Sequence, residues 1–557
     1  MVVRVRRRVG ILIAAVVAAV SLFALVTLPP ATVHLSVTLP PTTAVGAYHV
    51  HTTRSDGSGT VDDVARAAAE AGLHFVIISD HLTAENAPLL PEPPRYHEGV
   101  LVIDAMEVST REGHLVALGL SGPPPYQLGG EARDVIEDVA RLGGWSVLAH
   151  PDSPRPELRW RGRSTGALEW INADSEWRDN SPGRVVQAAL HALVRPAPAI
   201  ASLFSRPVAT MDRWDRAART RPVVGLAAVD AHARIGLDER REPRATRTLL
   251  ARPSYADMFR SLVQAVWLEH PLTGDAAADA AAVLGAMRAG QTYSAVSALA
   301  TPAVLDVTVD DSRLTARVAG APDAIVSIWH GGRQISAAPV TTDTATSAPG
   351  LYRVEVQWPG ADVPWIVSAP LYVPPVPPSQ APADTAVARP PLRAIPIAPD
   401  GPWVVEHHPA TTAAWGHDGP VTTFTFALAR GSAPGQYAAL VSPLDVSQSF
   451  EEITFTVSAD RPMRFSVQVR LPDDSGGGER WVRSVYAEPA PRTVRLRLED
   501  FEPAGRPTTR RPVAARLQSL LFVVDAPHTA PGTRGTLRLT DVALHAPMPE
   551  GSLTSVR

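Results

Sequence analysis

Apolar and polar positions fall into three regimes along this chain. From residue 46 to 299, apolar runs of strand length alternate with segments of helical period, the pattern of an α/β domain. Thr60 caps one such helix, with Asp62 and Asp63 in its first turn, Val64, Ala68 and Ala71 along it, and Gly72 as the stop. The apolar run from His74 to Ile78 follows at once as a strand, and the stretches Val100–Met106, Trp145–Ala149 and Val223–Val229 read as further buried strands. Residues 153–220 form a helical insertion with several Trp, and a helix over Asp275–Gly290 closes the domain. From 300 to 373 short alternating runs and turn residues replace the helical period, which predicts a small β-sandwich. Residues 374–402 are dominated by Pro and Ala and make a semi-rigid linker. Residues 403–547 return to all-β patterning before a short tail over 548–557, and no fixed-period repeat is present.

The N-terminus is patterned differently. An uncharged apolar run over residues 9–28 follows Arg4, Arg6, Arg7 and Arg8 and precedes Pro29-Pro30. Roughly twenty apolar residues span a bilayer as a helix, and basic residues ahead of the run place residues 1–8 in the cytoplasm and the remainder outside. The length of the run and the want of a small-residue cleavage site favour a retained transmembrane anchor over a cleaved signal peptide. Residues 29–45, rich in Pro and Thr, then tether the first domain to the membrane.

Composition narrows the chemistry. The chain of 557 residues carries a net charge of −4, which gives no basis for nucleic acid as a partner. Its basic side chains are all arginine, so an isolated Arg is weak evidence for anion recognition. There are no cysteines, which excludes disulfides, thiolate metal sites and a Cys nucleophile. A transition-metal site must therefore draw on His, Asp and Glu.

Such residues recur at strand ends. His49 and His51 stand two apart in Tyr48-His49-Val50-His51, a spacing that points both imidazoles to one face of a strand. Asp56 follows in a Ser55-Asp56-Gly57 loop, and Asp80-His81 end the strand that starts at His74. Glu107, His150, and the pair Asp230 and His232 end three more strands. Charged and imidazole groups just past buried strands are what the active rim of an enzyme barrel shows. His114 begins a strand, but a tight turn over Thr110–Gly113 returns it beside Glu107. His74 falls at the start of an apolar run and reads as a partly buried structural residue. Arg54, Arg111 and Arg234 lie near these positions, where a solvated surface role is the first expectation and an anion clamp the alternative. Neutral imidazole with carboxylate suits zinc, manganese or iron.

The order HxH, SDG, SDH, strand-terminal Glu, GH, AHPD and DAH resembles the PHP family, named for polymerase and histidinol phosphatase. The resemblance covers residues 46–299 and implies a distorted (β/α)7 barrel holding two to three divalent ions. By that pattern His49, His51, Glu107 and Asp230 hold one ion, and Glu107, His114 and His150 a second. Asp56, His81 and His232 hold a third, with Asp80 behind His81 and its neighbours. The catalytic set it implies is Glu107, Asp230 and His232, serving hydrolysis by a metal-bound hydroxide. An anionic small-molecule phosphoester is the expected substrate; ester, amide or carbamate hydrolysis is the alternative, since HVHTTRSDGSGT looks most like the branch containing carbamate-insecticide hydrolases. Residues 403–547 resemble galactose-binding-like jelly rolls found as carbohydrate-binding modules, which implies glycan contact through Trp403, Trp415 or Trp481 and leaves open a surface binding protein on a metal-stabilised scaffold.

Overall fold

The computed structural model describes residues 11–547 apart from 12, 16, 17, 19, 24, 84, 85, 88, 154–159, 161–164, 220, 238–246, 251, 252, 311, 312, 346–349, 374–391, 432–434, 445–449, 473–477, 506–508, 510 and 527. Two compact units divide the chain: residues 1–123 with 135–381, and residues 124–134 with 382–557. The apolar run over 9–28 lies partly outside the described residues. Among those described, no helix is long and apolar enough to cross a membrane.

The first unit opens with β1 (Thr43–Val50), α1 (Val61–Glu70), β2 (Phe75–Ile78), β3 (Val100–Asp104), β4 (Met106–Thr110) and β5 (Gly113–Leu118). It continues with β6 (Trp145–Leu148), β7 (Ala167–Asn172) and β8 (Val224–Ala228). Thr60 and Asp63 complete a reciprocal capping box at the start of α1, a device that supplies about 1 kcal/mol. Strands β1, β2 and β3 run parallel, as do β6, β7 and β8. Between these sets, β4 and β5 form a hairpin, and β5 is also antiparallel to β6.

Two seams join the sets. On one, Val229 donates to the Tyr48 carbonyl at 3.0 Å and His51 to that of Ala231 at 3.0 Å. On the other, Glu107 donates to the Asp80 carbonyl at 3.1 Å and Leu82 to that of Glu107 at 2.8 Å. With β3 and β4 interrupted only at Ala105, the strands close into a barrel distorted by the antiparallel β5. Alternate side chains serve two cores, as strands covered on both faces require. Ala47, Val76 and Val102 pack with Val64 and Ala68 of α1, while Tyr48, Ile77 and Ile103 meet Val116, Val147 and Leu226.

Beyond the barrel, β9 (Val263–Trp267) pairs with β1, and β10 (Thr292–Ala295) pairs with Ile366–Ser368. One sheet therefore runs from the barrel into the all-β segment, and the boundary expected at residue 300 does not interrupt it.

The second unit holds two six-stranded sheets around a core that includes Trp403, Phe455, Trp481 and Phe522. Trp403 and Trp481 are thus core residues, while Trp415 is half-buried and stacks on His417 at 6.5 Å. The strand Leu392–Pro396, inside the stretch expected as linker, pairs with the end of Arg534–Pro547. Residues 124–134 also belong to this unit, where the buried Asp134 carboxylate meets Arg464 at 3.4 Å and Arg483 at 3.0 Å.

Candidate metal centre

All nine expected ligands converge at one end of the barrel. His49 interrupts β1: its φ is +67°, and the register against β2 slips between Tyr48 and Val50. The inward aim of His49 and His51 thus comes from a bulge and the end of the strand rather than from simple alternation. His150 and Asp230 also take positive φ, 30° and 47°, each just past a strand. Non-glycine residues held in this region cost free energy and collect at functional sites. The loop after His51 is packed just as tightly. A Cβ on Gly57 would lie 2.2 Å from the His51 carbonyl oxygen, so only glycine fits there.

Glu107 is the hub. Its Oε2 lies 3.3 Å from His49 Nε2, 3.4 Å from His51 Nε2 and 3.1 Å from His81 Nδ1. Its Oε1 faces the other way, 2.7 Å from His114 Nδ1 and 3.0 Å from His150 Nε2. Asp230 Oδ1 stands 3.5 Å from His49 Nε2 and 3.2 Å from His51 Nε2. Asp56 reaches His232 Nε2 at 3.2 Å, His51 Nδ1 at 3.4 Å and His81 Nε2 at 3.8 Å.

These spacings fit metal ligation. Donors bound tetrahedrally at about 2.0–2.1 Å lie about 3.3 Å from one another, close to the distances of His49 and His51 Nε2 from Glu107 Oε2 and Asp230 Oδ1. Both ring nitrogens of the fully buried His51 lack a hydrogen-bond partner, a costly arrangement that a cation among these donors relieves. Compact donor groups are His49, His51 and Asp230; His51, Asp56, His81 and His232; and His81, Glu107 and His114. His81 therefore stands between the second and third expected sites rather than in the third alone.

The electrostatics follow from packing carboxylates among imidazoles. Burial opposes ionisation of Glu107, yet His81, His114 and His49 hold its carboxyl well below the usual range. Asp230 is likewise held low against burial, chiefly by His49. His81 is pushed down to about 4 by burial, with Glu107 opposing. His232 is raised to about 10 because Asp56 outweighs burial.

Several supporting residues escaped the sequence reading. Glu169 in β7 accepts from His49 Nδ1 at 2.6 Å, from the His150 amide at 2.7 Å and from Asn172 Nδ2 at 2.9 Å. Asn172 also donates to Asp230 Oδ2 at 3.0 Å, leaving Oδ1 for the imidazoles. The one available signal was a lone carboxylate inside the apolar run Ala167-Leu168-Glu169-Trp170-Ile171. Tyr255 donates to the His51 carbonyl at 2.8 Å. Asp80 holds the loop after His51 rather than His81, accepting from the Thr52 amide and hydroxyl, both at 2.7 Å, and from Ser55 at 2.6 Å.

Arg54 is half-buried and its guanidinium is committed to joining Asp80 to Asp104. Arg234 approaches Asp56 at 3.6 Å. His74 is exposed at the entrance to β2, where its Nδ1 accepts from the Val45 amide, and takes no part in the cluster.

Because Glu169 fixes the proton of His49 on Nδ1, it presents Nε2 to the cluster. Glu169→Gln is expected to lower metal affinity by about 10–100-fold, the range for an outer partner of a ligand. Metal-buffered titration with circular dichroism will check it; unchanged affinity would remove Glu169 from the centre.

No family model matches the chain, and no curated protein matches it. Among solved structures it is similar to a two-domain protein from Bacteroides vulgatus containing a predicted PHP-like metal-dependent phosphoesterase. That likeness has 12% identity, covers 62% of this chain and 99% of the other, and has a TM-score of 0.29. It is also similar to a family 11 carbohydrate-binding module of a cellulosomal cellulase of Clostridium thermocellum, with 16% identity, 26% and 86% coverage, and a TM-score of 0.21. The site's own geometry carries the functional reading.

Proposed function

We propose that this chain is a metal-dependent hydrolase of PHP type that cleaves an anionic phosphoester, held outside the cytoplasm by its N-terminal apolar run. The observation that supports the chemistry is the spacing of His49 Nε2, His51 Nε2, Glu107 Oε2 and Asp230 Oδ1, with both nitrogens of His51 otherwise unpartnered. Two or three divalent ions, zinc, manganese or iron, would acidify a water and polarise the scissile group there.

The chain's residues divide the remaining work. Glu107 turns its two oxygens to different sets of imidazoles and would screen an ion held with His49 and His51 from one held with His114 and His150. Asn172 fixes Asp230 with Oδ1 inward, and Glu169 fixes His49. His49 and His51 are sealed from solvent, whereas His81 and His232 keep 24% and 19% of their side chains exposed. Substrate therefore approaches from the side of His81, Asp56 and His232. A cavity of about 530 Å³ lined by Arg54, Asp56, Leu89, Leu90, Glu92 and Arg234 opens on that side.

Charge selects the substrate class. Three divalent ions exceed the charge of Asp56, Glu107, Asp230 and the adjoining Glu169, which favours an anion. With two ions the surplus nearly vanishes. The exposed Leu89 at the cavity then favours the second reading, a neutral ester or carbamate.

The deciding experiment compares bis(p-nitrophenyl) phosphate with a p-nitrophenyl carbamate on the full chain, with metal removed and restored. Metal-dependent turnover of the diester is expected. Preferential carbamate turnover would replace the first reading with the second, and metal binding without turnover of either would favour a scaffold. In the second unit, Trp415 beside His417 is the aromatic position left for glycan contact.

A further inference from the structure

The described end of the apolar run is tied to one helix. The Thr27 hydroxyl lies 2.9 Å from His191 Nε2, and Arg195 Nη1 donates to the Pro29 carbonyl at 2.6 Å. His191 is the last residue of the helix Pro182–His191, whose hydrogen bonding continues as Val194 and Arg195 donate to the His191 carbonyl at 2.9 and 2.8 Å. One face of this element, Ala188 and His191, is buried.

The other face is apolar too. Val186, Leu190, Leu193 and Val194 stand at i, i+4, i+7 and i+8, the spacing of a single helical stripe. Val186 is 60% exposed, Leu193 82% and Val194 56%, with Leu190 half-buried. Single exposed apolar residues are ordinary, but a contiguous stripe marks a contact surface. Leu22, Phe23 and Val26 of the N-terminal run are also largely exposed. The N-terminal run is thus joined to this element through His191 and Arg195, on the side away from the stripe, and run and stripe each carry exposed apolar residues.

We infer that the element from Pro182 to Arg195 lies on a lipid surface, as a second, interfacial membrane contact beside the N-terminal run. Its stripe sits at the acyl boundary, with Arg184, exposed at the helix start and donating to the Ser202 carbonyl at 2.7 Å, at one end. This rests on the reading of residues 9–28 as a membrane anchor. Two attachments rather than one fix the tilt of the first unit against the bilayer.

The cysteine-free chain suits a direct test. Full-length Leu22→Cys, Leu193→Cys and Asp306→Cys variants, the last at an exposed strand position of the same unit, each carry one environment-sensitive fluorophore. They are reconstituted into phosphatidylcholine–phosphatidylglycerol vesicles with brominated acyl chains, with aqueous iodide as the opposing quencher. Labels at 22 and 193 are expected to be quenched by brominated lipid at least about twofold more than the label at 306, as partial immersion requires. Lipid quenching at 22 with iodide quenching at 193 overturns the inference and leaves the anchor standing. Lipid quenching at 193 without 22 removes the anchor and, with it, the inference of a second contact. Quenching of neither by lipid overturns both, and a label at 193 shielded from both quenchers overturns the inference in favour of a protein partner.

Discussion

Glu107→Gln is expected to strip at least one metal ion from the centre and abolish hydrolysis while the barrel stays folded. The carboxylate lies within 3.4 Å of five imidazoles on β1, on the segment after β2, on β5 and on the loop after β6. A neutral amide cannot turn two anionic oxygens to two sides, and its NH2 would point a donor at sites that need acceptors. Loss of an outer partner alone costs about 10–100-fold in metal affinity or activity, so if Glu107 holds the ions directly, as proposed, its loss should exceed about 100-fold in activity. The fold should persist because Glu107 donates and accepts its strand hydrogen bonds through the backbone, with Asp80 and Leu82. Plasma mass spectrometry beside circular dichroism reads both effects. Unchanged metal content in the variant would mean that the ions, if bound, sit elsewhere.

Eight of the nine candidates stand out in the sequence because they end or begin an apolar run, and strand ends collect at one rim of a barrel, whereas Asp56 lies in a polar loop past His51. The hairpin that returns His114 to Glu107 was legible for the same local reason, a short turn between two strands. The means by which His49 faces inward was not. A bulge leaves no mark in a pattern of alternation, and His49 at φ +67° is neither Gly nor Asn. Glu169 was hidden because a carboxylate inside an apolar run reads as a local exception until the imidazole it serves, 120 residues earlier, is brought beside it. The boundary at residue 300 marked a real change from helical to alternating period, yet β10 pairs across it with Ile366–Ser368. Sequence period reports which faces are buried and says nothing of which strand edges join. The placement of residues 124–134 with the second unit was hidden likewise, since Asp134 finds Arg464 and Arg483 more than 300 residues away.

Arg54 shows how far composition misleads, and it yields the largest expected change in stability. In a chain whose basic residues are all arginine, one Arg beside a candidate ligand carries little weight. Its guanidinium nevertheless donates to Asp80 at 2.9 Å and, as a fork, to Asp104 at 2.7 and 2.9 Å, and both carboxylates are buried. A planar fork suits this bidentate grip, which lysine's point charge does not reproduce. Removing one partner of a buried pair costs about 3–5 kcal/mol, because the remaining charge stays desolvated. Arg54→Ala leaves two such carboxylates, so a loss at the upper end of that range is expected, and Arg54→Lys should recover only part of it. The damage should also reach the cluster. Asp80 holds the Thr52 amide and the Ser55 hydroxyl, and that loop carries Asp56 from His51 to the cavity. Denaturant unfolding of the metal-free variants isolates the stability term, and metal titration of the folded fraction then reads the displaced loop. A variant with unaltered stability would mean that water reaches Asp80 and Asp104, and the buried bridge would have to be abandoned as the support of the ligand loop.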